Sequence, residues 1–265
     1  MACACGLSAL ALTDHNTVDG LERAFRAAAG RIALCGGCEF TTEADGQELH
    51  LLGLFLDPER LEPIRNALKE QQRRKEESNR LTIESLAKAG YPLSYEEFIS
   101  RYGTGMKNRV HIARYLIEKG IVHERREAFG GLLSSDSGYY IQPERLDFYG
   151  MIPLISKAGG VSVWAHPLSH VDRVTCERVL CRAKACGLDG MEVYYSTHSE
   201  DDTAFLHELC DKYQLLESGG SDFHGESKPG LKLGSGYGDL CVPFSCYETL
   251  KRLADERKEK ERHCE

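Results

Sequence analysis

The chain has 265 residues, of which 42% are hydrophobic and 28% charged, and its formal net charge is −8 at pH 7. This length supports one or two domains with a full core, and this composition excludes a disulfide-stapled miniprotein, a disordered chain and a fibre. The negative charge argues against a general nucleic-acid coat protein, because affinity for phosphate backbones requires an excess of Lys and Arg.

Short apolar runs alternate with helical patterns along most of the chain. This alternation predicts an α/β fold, in which βαβ units surround a parallel sheet or barrel. Helices are expected at Val18–Ala29 and at Thr203–Tyr213, where Ser199 and three acidic residues form a helix start. Strands are expected at Leu7–Leu12, Arg31–Cys35, Leu49–Phe55, Val161–Ala165, Gly190–Tyr195 and Leu215–Ser218.

The segment 58–141 breaks this alternation. It contains helical patterns at Glu62–Ala89 and Val110–Lys119 and no convincing strand. We therefore expect a discontinuous barrel domain, 1–57 with 142–250, interrupted by a helical insertion at 58–141. The residues 251–265 carry charges of both signs, which is typical of a solvated helix or tail.

Residues of metal-ligand type recur where the predicted strands end. In α/β barrels these ends converge on one face, so residues distant in sequence meet there. A lone histidine on an apolar strand is more often a hydrogen-bonded core residue, but four histidines with two carboxylates suit a site for several Mn²⁺, Fe²⁺ or Zn²⁺ ions. The candidates are His15, Glu39, His50, His166, Asp222 and His224.

Four ordered motifs resemble those of the PHP-domain (polymerase and histidinol phosphatase) phosphoesterases. They are Leu12-Thr-Asp-His-Asn-Thr-Val-Asp-Gly20, Cys38-Glu39 followed by Glu48-Leu-His50, Trp164-Ala-His-Pro167 and Gly219-Gly-Ser-Asp-Phe-His-Gly225. The similarity is greatest to the branch that dephosphorylates nucleoside 3′,5′-bisphosphates and trims RNA from its 5′ end. The resemblance implies a distorted, TIM-like (β/α)₇ barrel with two or three divalent metal ions, whose activated hydroxide attacks phosphorus.

The resemblance also implies a role for each candidate. Glu39 would bridge metals, and His50 and His166 would complete one metal with it. Asp222 would bind a second metal, while Asp14 would orient His15. His15 and His224 would hold a third metal, and the catalytic set would be Glu39, His166 and Asp222.

The sequence departs from the family at its start. Members begin with a strand that bears a His-x-His pair, and this pair is absent, so about one βα unit is expected to be missing before Met1. The chain is then either truncated, which we favour because the ligands of the remaining motifs are present, or a degenerate relative. On the second hypothesis it is a catalytically impaired protein that binds metal or phosphate.

Several residues are candidates for contacts with the substrate. In the insertion, Arg109 and His111 are predicted to bind phosphate, because a guanidinium can donate two hydrogen bonds to one phosphate. The alternative for this pair is a surface arginine beside a buried helix histidine. Weaker candidates for phosphate are Lys228 and Arg173, and solvated surface charge is the alternative for both. Tyr194 and His198 could contact a base or ribose or simply pack in a loop.

The expected protein is therefore a cytoplasmic phosphoesterase acting on nucleotides or short RNA, with no membrane association. An alternative substrate is another small phosphomonoester such as histidinol phosphate.

The chain has 11 cysteines, an odd number, so at least one of them is free. Free cysteines are typical of a reducing compartment. Cys35 and Cys38 have the spacing of half a zinc knuckle, but no second pair lies at a suitable distance, and structural thiols are expected.

Overall fold

The computed structural model describes residues 1–103 and 107–262, so the last three residues of the predicted tail, 263–265, lie outside the described residues. The chain divides into two compact units, Met1–Asn66 with Leu146–Glu265, and Ala67–Arg145. We call them the strand unit and the helical unit. No helix in the described ranges is both long and apolar enough to cross a membrane.

All the strands of the described residues lie in the strand unit. They are β1 (Ala9–Leu12), β2 (Ala33–Gly36), β3 (Cys38–Ala44), β4 (Gln47–Leu54), β5 (Leu146–Asp147), β6 (Val161–Ala165), β7 (Gly190–Tyr195) and β8 (Leu216–Gly220). Its helices are α1 (Leu21–Ala28), α6 (Phe148–Lys157), α7 (Arg173–Ala185), α8 (Glu200–Tyr213) and α9 (Phe244–Arg262). The long helix α2 (Glu62–Lys88) begins in this unit and continues into the helical unit, which also contains α3 (Tyr95–Tyr102), α4 (Arg109–Glu118) and α5 (Arg125–Gly130).

The strands form two sheets in a mixed α/β fold. β1 and β2 make a parallel pair, and the other six strands follow the order β5-β3-β4-β6-β7-β8. Most pairs are parallel, as predicted, but β3–β4 and β4–β6 are antiparallel. The expectation of a purely parallel sheet is therefore wrong at β4.

The cause of this reversal is a tight hairpin between β3 and β4. Asp45 and Gly46 both have positive φ, 52° and 77°, as a two-residue type I′ turn requires. The turn reverses the chain within two residues, so β4 returns beside β3 without a crossover helix. The dipeptide Asp-Gly is the sequence signal for such a turn, and β3 itself was not among the predicted strands.

Each unit has its own hydrophobic core. In the strand unit, Leu54, Val161 and Val163 pack with Leu250 and Ala254 of α9, so part of the predicted charged C-terminal segment has a buried face. In the helical unit, α2 to α5 bury an aromatic and aliphatic cluster that includes Phe98 and Tyr115. Backbone hydrogen bonding within helices and apolar burial thus stabilise each unit.

Candidate metal centre

The loop after β1 is fixed to β3 by backbone pairing. The amide of Asn16 donates to the carbonyl of Glu39 at 2.9 Å, and the amide of Glu39 donates to the carbonyl of Asp14 at 3.2 Å. The buried Asn16 side chain exchanges two further hydrogen bonds with Thr41. This pairing brings His15 beside Glu39, and the Nε2 of His15 lies 3.6 Å from Oε2 of Glu39.

The other carboxylate oxygen of Glu39 faces two histidines from neighbouring strands. In the β3–β4 register Glu39 is opposite Leu52, two residues from His50, so the two side chains are diagonal neighbours on one face. Nδ1 of His50 lies 2.8 Å and Nε2 of His166 lies 3.1 Å from Oε1 of Glu39. The two nitrogens are themselves 3.3 Å apart.

The backbone at His166 is held in an unusual conformation. Its φ is 29°, in the left-handed region that costs a residue with a Cβ of order 1 kcal/mol or more. Its amide donates to Oε2 of the buried Glu192 on β7 at 2.8 Å, and Pro167 begins a short 3-10 turn directly after it. This conformation directs the ring of His166 to Glu39, at the end of β6.

A second pair of histidines meets on the other side of Glu39. Nδ1 of His224 lies 2.7 Å from the carbonyl oxygen of Asp222, which fixes that nitrogen as the protonated donor. Its Nε2 is 3.4 Å from Nε2 of His15. Glu39 thus faces His50 and His166 through Oε1 and His15 through Oε2, and His224 adjoins His15.

Asp222 has cationic and phenolic partners of its own. Nζ of Lys228 lies 2.6 Å from Oδ2 of Asp222, and the hydroxyl of Tyr195 donates to the same oxygen at 3.0 Å. Lys228 therefore forms an ion pair with Asp222 in the candidate site. The sequence analysis had kept a solvated surface charge as the alternative for this residue.

The electrostatics of the cluster favour positive charge beside Glu39. Burial alone raises the pKa of Glu39, but hydrogen bonds from His166 and His50 outweigh it and hold the pKa well below its usual range. Burial lowers the pKa of His50, but hydrogen bonds to Glu39 and Glu48 raise it to about 9. Burial raises the pKa of Glu192 to about 7.

The centre opens into a cleft of about 770 Å³ in the strand unit. Its polar wall contains His15, Glu39, His166, Glu192, Asp222 and His224. Its apolar lining includes Leu10, Leu12, Tyr247 and Leu250. A polar cluster at the end of such a cleft is the usual arrangement of a small-molecule active site.

The predicted phosphate-binding residues belong to the helical unit. The guanidinium of Arg109 stacks over the rings of Phe129 and Tyr140 at 4.8 and 4.9 Å. Nδ1 of His111 lies 3.2 Å from the amide nitrogen of Asn108 and closes a capping box at the start of α4. Both residues have a role within their own unit, and their binding of phosphate stays a prediction.

The remaining candidates have local partners. Arg173 forms ion pairs with two carboxylates of α8, Asp201 at 2.6 Å and Asp202 at 2.8 Å. The hydroxyl of Tyr194 lies 3.4 Å from Glu217, and Nδ1 of His198 lies 2.9 Å from the carbonyl oxygen of Val193.

The paired cysteines are both buried. Cys35 and Cys38 are 3% and 0% exposed, and burial raises the pKa of each thiol to about 12. Such thiols are unreactive packing residues at neutral pH.

The backbone carbonyl of Asp14 accepts a hydrogen bond from the Cys38 thiol. That Asp14 orients the His15 ring stays a prediction.

Sequence reasoning missed three residues of the cluster. His170 lies with its ring 4.8 Å from that of His50 and 5.3 Å from that of His166. Glu192 supports the His166 backbone, and Glu48 lies 3.5 Å from Nε2 of His50. The spacing His166-x-x-x-His170 was the available signal, whereas Glu192 gave none beyond its place in a predicted strand.

Similar proteins are known from several bacteria. A protein of Haemophilus influenzae named 5′-3′ exoribonuclease is 33% identical over 222 residues, which are 83% of this chain and 80% of that protein. A protein of Chromobacterium violaceum named 3′,5′-nucleoside bisphosphate phosphatase is 32% identical over 229 residues, 85% of this chain and 80% of that protein. No family profile matches the chain.

Two solved structures share the fold. One, from Bifidobacterium adolescentis, is described as a metal-dependent phosphoesterase and superposes with a TM-score of 0.71 at 25% identity, covering 95% of this chain and 88% of that one. The other, from Chromobacterium violaceum, is described as an amidohydrolase with bound sulfate and no metal. It has the same TM-score of 0.71 and the same coverages of 95% and 88%, at 31% identity.

Proposed function

Because the chain belongs to the PHP-type phosphoesterases, which are hydrolases of phosphate esters, we propose that it hydrolyses phosphate esters of nucleotides. The substrate is a nucleoside 3′,5′-bisphosphate or the 5′ end of a short RNA, the chemistry named for two of its relatives. The observation that carries this proposal is the position of Glu39, whose Oε1 faces His50 and His166 while its Oε2 faces His15.

The donor set fits divalent metal ions. Nitrogens of His50 and His166 converge with one oxygen of Glu39, a nitrogen of His15 lies near the other oxygen, and Nε2 of His224 lies next to that His15 nitrogen. Imidazole with a shared carboxylate suits Mn²⁺, Fe²⁺ or Zn²⁺, and Nδ1 of the buried His166 has no hydrogen-bond partner among the described residues. When bound, two or three such ions would activate water and neutralise charge on the phosphate.

The protein's own side chains would position these groups. Glu39 would bridge the two histidine pairs, and Asp222 would add a carboxylate from the loop after β8. The hydrogen bond between the His166 amide and Glu192 would fix the direction of the His166 ring. Asp14 would orient His15 through their shared loop.

Residues of the helical unit would bind the substrate phosphate. Arg109 and His111 are the proposed contacts, because a stacked guanidinium is oriented in advance and its five N–H donors match phosphate oxygens.

The two sheets would form parts of a distorted (β/α)₇ barrel. Its domain would comprise residues 1–57 and 142–250, with 58–141 as the insertion and 251–265 as the C-terminal helix or tail.

The test is release of phosphate from adenosine 3′,5′-bisphosphate in the presence of Mn²⁺, with a 5′-phosphorylated RNA oligomer and histidinol phosphate as competing substrates. We expect turnover of the bisphosphate or the RNA, its loss in His166→Ala, and no change in His123→Ala, a histidine of the helical unit.

Each other result contradicts the proposal in a different way. Turnover of histidinol phosphate alone would indicate another small phosphomonoester. No turnover of any substrate by the folded protein, with metal still bound, would indicate a binding protein. Full activity of His166→Ala would exclude His166 from the site.

A further inference from the structure

His170 lies beside the candidate metal centre without a role in the motifs. It follows His166 by four residues, and the 3-10 turn Pro167–Ser169 between them brings its ring back to the centre. The amide of His170 donates to the carbonyl of Pro167 at 3.3 Å, which holds this turn closed. One nitrogen from each of His50, His166 and His170 lies within 4.8 Å of the others.

The nitrogens of the cluster converge on one oxygen of Glu39. Nε2 of the buried His166 lies 3.1 Å from Oε1 of Glu39 and 3.3 Å from Nδ1 of His50, which itself lies 2.8 Å from that oxygen. His170 adds a third imidazole beside these two histidines. Several imidazoles around one carboxylate form the kind of donor set that binds a divalent metal ion.

We propose that His170 is a metal ligand, which joins His50, His166 and Glu39 to make one corner of the centre a site of three imidazoles and one carboxylate. The inference rests on the proposed function in taking Glu39, His50 and His166 as metal-binding. It adds a ligand that the sequence motifs do not assign.

The surroundings of His170 favour a cation over substrate. The ring centroid of His170 lies 4.8 Å from that of His50 and 5.3 Å from that of His166, so its immediate neighbours are two proposed metal ligands. Among the described residues that line the cleft, His15, His166 and His224 are present and His170 is not. His170, whose ring neighbours are the proposed ligands His50 and His166, is therefore placed to bind the metal.

The extra imidazole makes the two corners of the centre unequal. Three nitrogens and a carboxylate complete the four protein ligands of a closed zinc site, whereas His15, His224 and the shared Glu39 leave a position open. The corner with His170 should therefore bind Zn²⁺ more tightly and should favour Zn²⁺ over Mn²⁺. The open corner faces the cleft.

The test measures metal binding without substrate. The chain is stripped of metal, and Zn²⁺ is titrated in competition with a chromophoric chelator, with Co²⁺ absorption as a second readout of the ligand set. We expect His170→Ala to raise the Kd of the tighter site at least about tenfold, since residues that only support a ligand already contribute 10–100-fold. The Co²⁺ spectrum should change, while the weaker site keeps its Kd.

Two further variants separate coordination from packing. His170→Asp, which restores a ligand oxygen, should recover part of the affinity, whereas His170→Phe, which keeps a ring without a nitrogen, should not. His123→Ala is the matched histidine control. His170 is only half-buried, so these variants should fold, and circular dichroism checks this directly.

An unchanged Kd and an unchanged Co²⁺ spectrum in folded His170→Ala would overturn the inference, even if the enzyme turns over nucleotides normally. Equal affinity in the Phe and Asp variants would likewise show that His170 acts through packing. Conversely, loss of the tight site in a chain with no phosphatase activity would overturn the proposed function and leave this inference standing.

Discussion

Nδ1 of His50 lies 2.8 Å from Oε1 of Glu39, a contact set by the diagonal register of two antiparallel strands. Because Glu39 comes from β3 and His50 from β4, the hairpin turn at Asp45 and Gly46 determines whether they meet. A shift of one residue in register would place the two side chains on opposite faces of the sheet. The geometry of the centre thus depends on a turn far from the cleft.

Glu39→Gln should abolish most of the activity. The amide keeps the size of the side chain but removes the negative charge that faces the neighbouring histidines. A bound metal stabilises the charge of the transition state by several kcal/mol. We expect phosphate release to fall by about 100-fold or more, together with the amount of bound metal. Metal analysis and a phosphate assay check this.

The matched control for this change is Glu208→Gln on the exposed surface of α8. It also removes one carboxylate, and we expect full activity and metal content. If Glu39→Gln kept its metal and its activity, the bridging role of Glu39 would be wrong.

Lys228→Met should strengthen metal binding. In the structure the ammonium of Lys228 competes for Oδ2 of Asp222 at 2.6 Å. The Lys228 side chain is 41% exposed, so solvent screens the pair and its contribution is about 0.2–1 kcal/mol. We therefore expect the Kd for Mn²⁺ to fall by at most about fivefold.

Calorimetric titration of Mn²⁺ measures this effect, and Lys232→Met, in the same loop region, is the control for lost positive charge. The double variant Lys228→Met with Asp222→Asn should lose the gain. A Kd unaffected by Lys228→Met would show that Asp222 does not bind the cation.

Residues at strand ends were accessible to sequence reasoning because they follow apolar runs directly. The structure brings His15, Glu39, His50, His166 and His224 together. Helix α2 was predicted at 62–89 and is found at Glu62–Lys88, because its length gives a strong periodic signal.

Features that depend on loop conformation were not accessible. The ring of His170 reaches the centre only because a 3-10 turn follows the left-handed His166, and a lone histidine carries no signal for this. The contact of Lys228 with Asp222 depends on the loop after β8, where Asp222 has a φ of 52°. Strand β3 was not predicted because it contains two glutamates and two threonines among seven residues and therefore has no continuous apolar run.

The stability of the protein should fall at alkaline pH through buried thiols. Cys176 on α7 is 0% exposed, and burial raises its pKa from 9.0 to about 12. Above about pH 9 the unfolded chain loses this proton while the folded chain keeps it, so the free energy of unfolding decreases as pH rises. Each such thiol contributes a slope of up to about 1.4 kcal/mol per pH unit.

Urea denaturation between about pH 8 and pH 11, with a reductant present, measures this slope. Cys176→Ala should be less stable at neutral pH but should lose stability less steeply above about pH 9. Cys181→Ala, an exposed cysteine on the same helix, should keep the slope of the unmodified protein. Parallel curves for the unmodified protein and Cys176→Ala would show that this thiol titrates normally.

Arg109→Lys should weaken substrate binding without slowing the chemical step. Lysine keeps the positive charge but loses the planar fork that can donate two hydrogen bonds to one phosphate. Hydrogen bonds to charged groups contribute about 1.5–3 kcal/mol, so we expect KM for a nucleoside bisphosphate to rise by about 10- to 100-fold with kcat nearly unchanged. Arg114→Lys, on the same helix α4, is the control and should keep its KM.

The alternative is that Arg109 only packs on Phe129 and Tyr140, whose cation–π contacts contribute about 0.5–1 kcal/mol at exposed sites. In that case Arg109→Lys would lower the melting temperature and leave KM unchanged, and the predicted phosphate contact would be wrong.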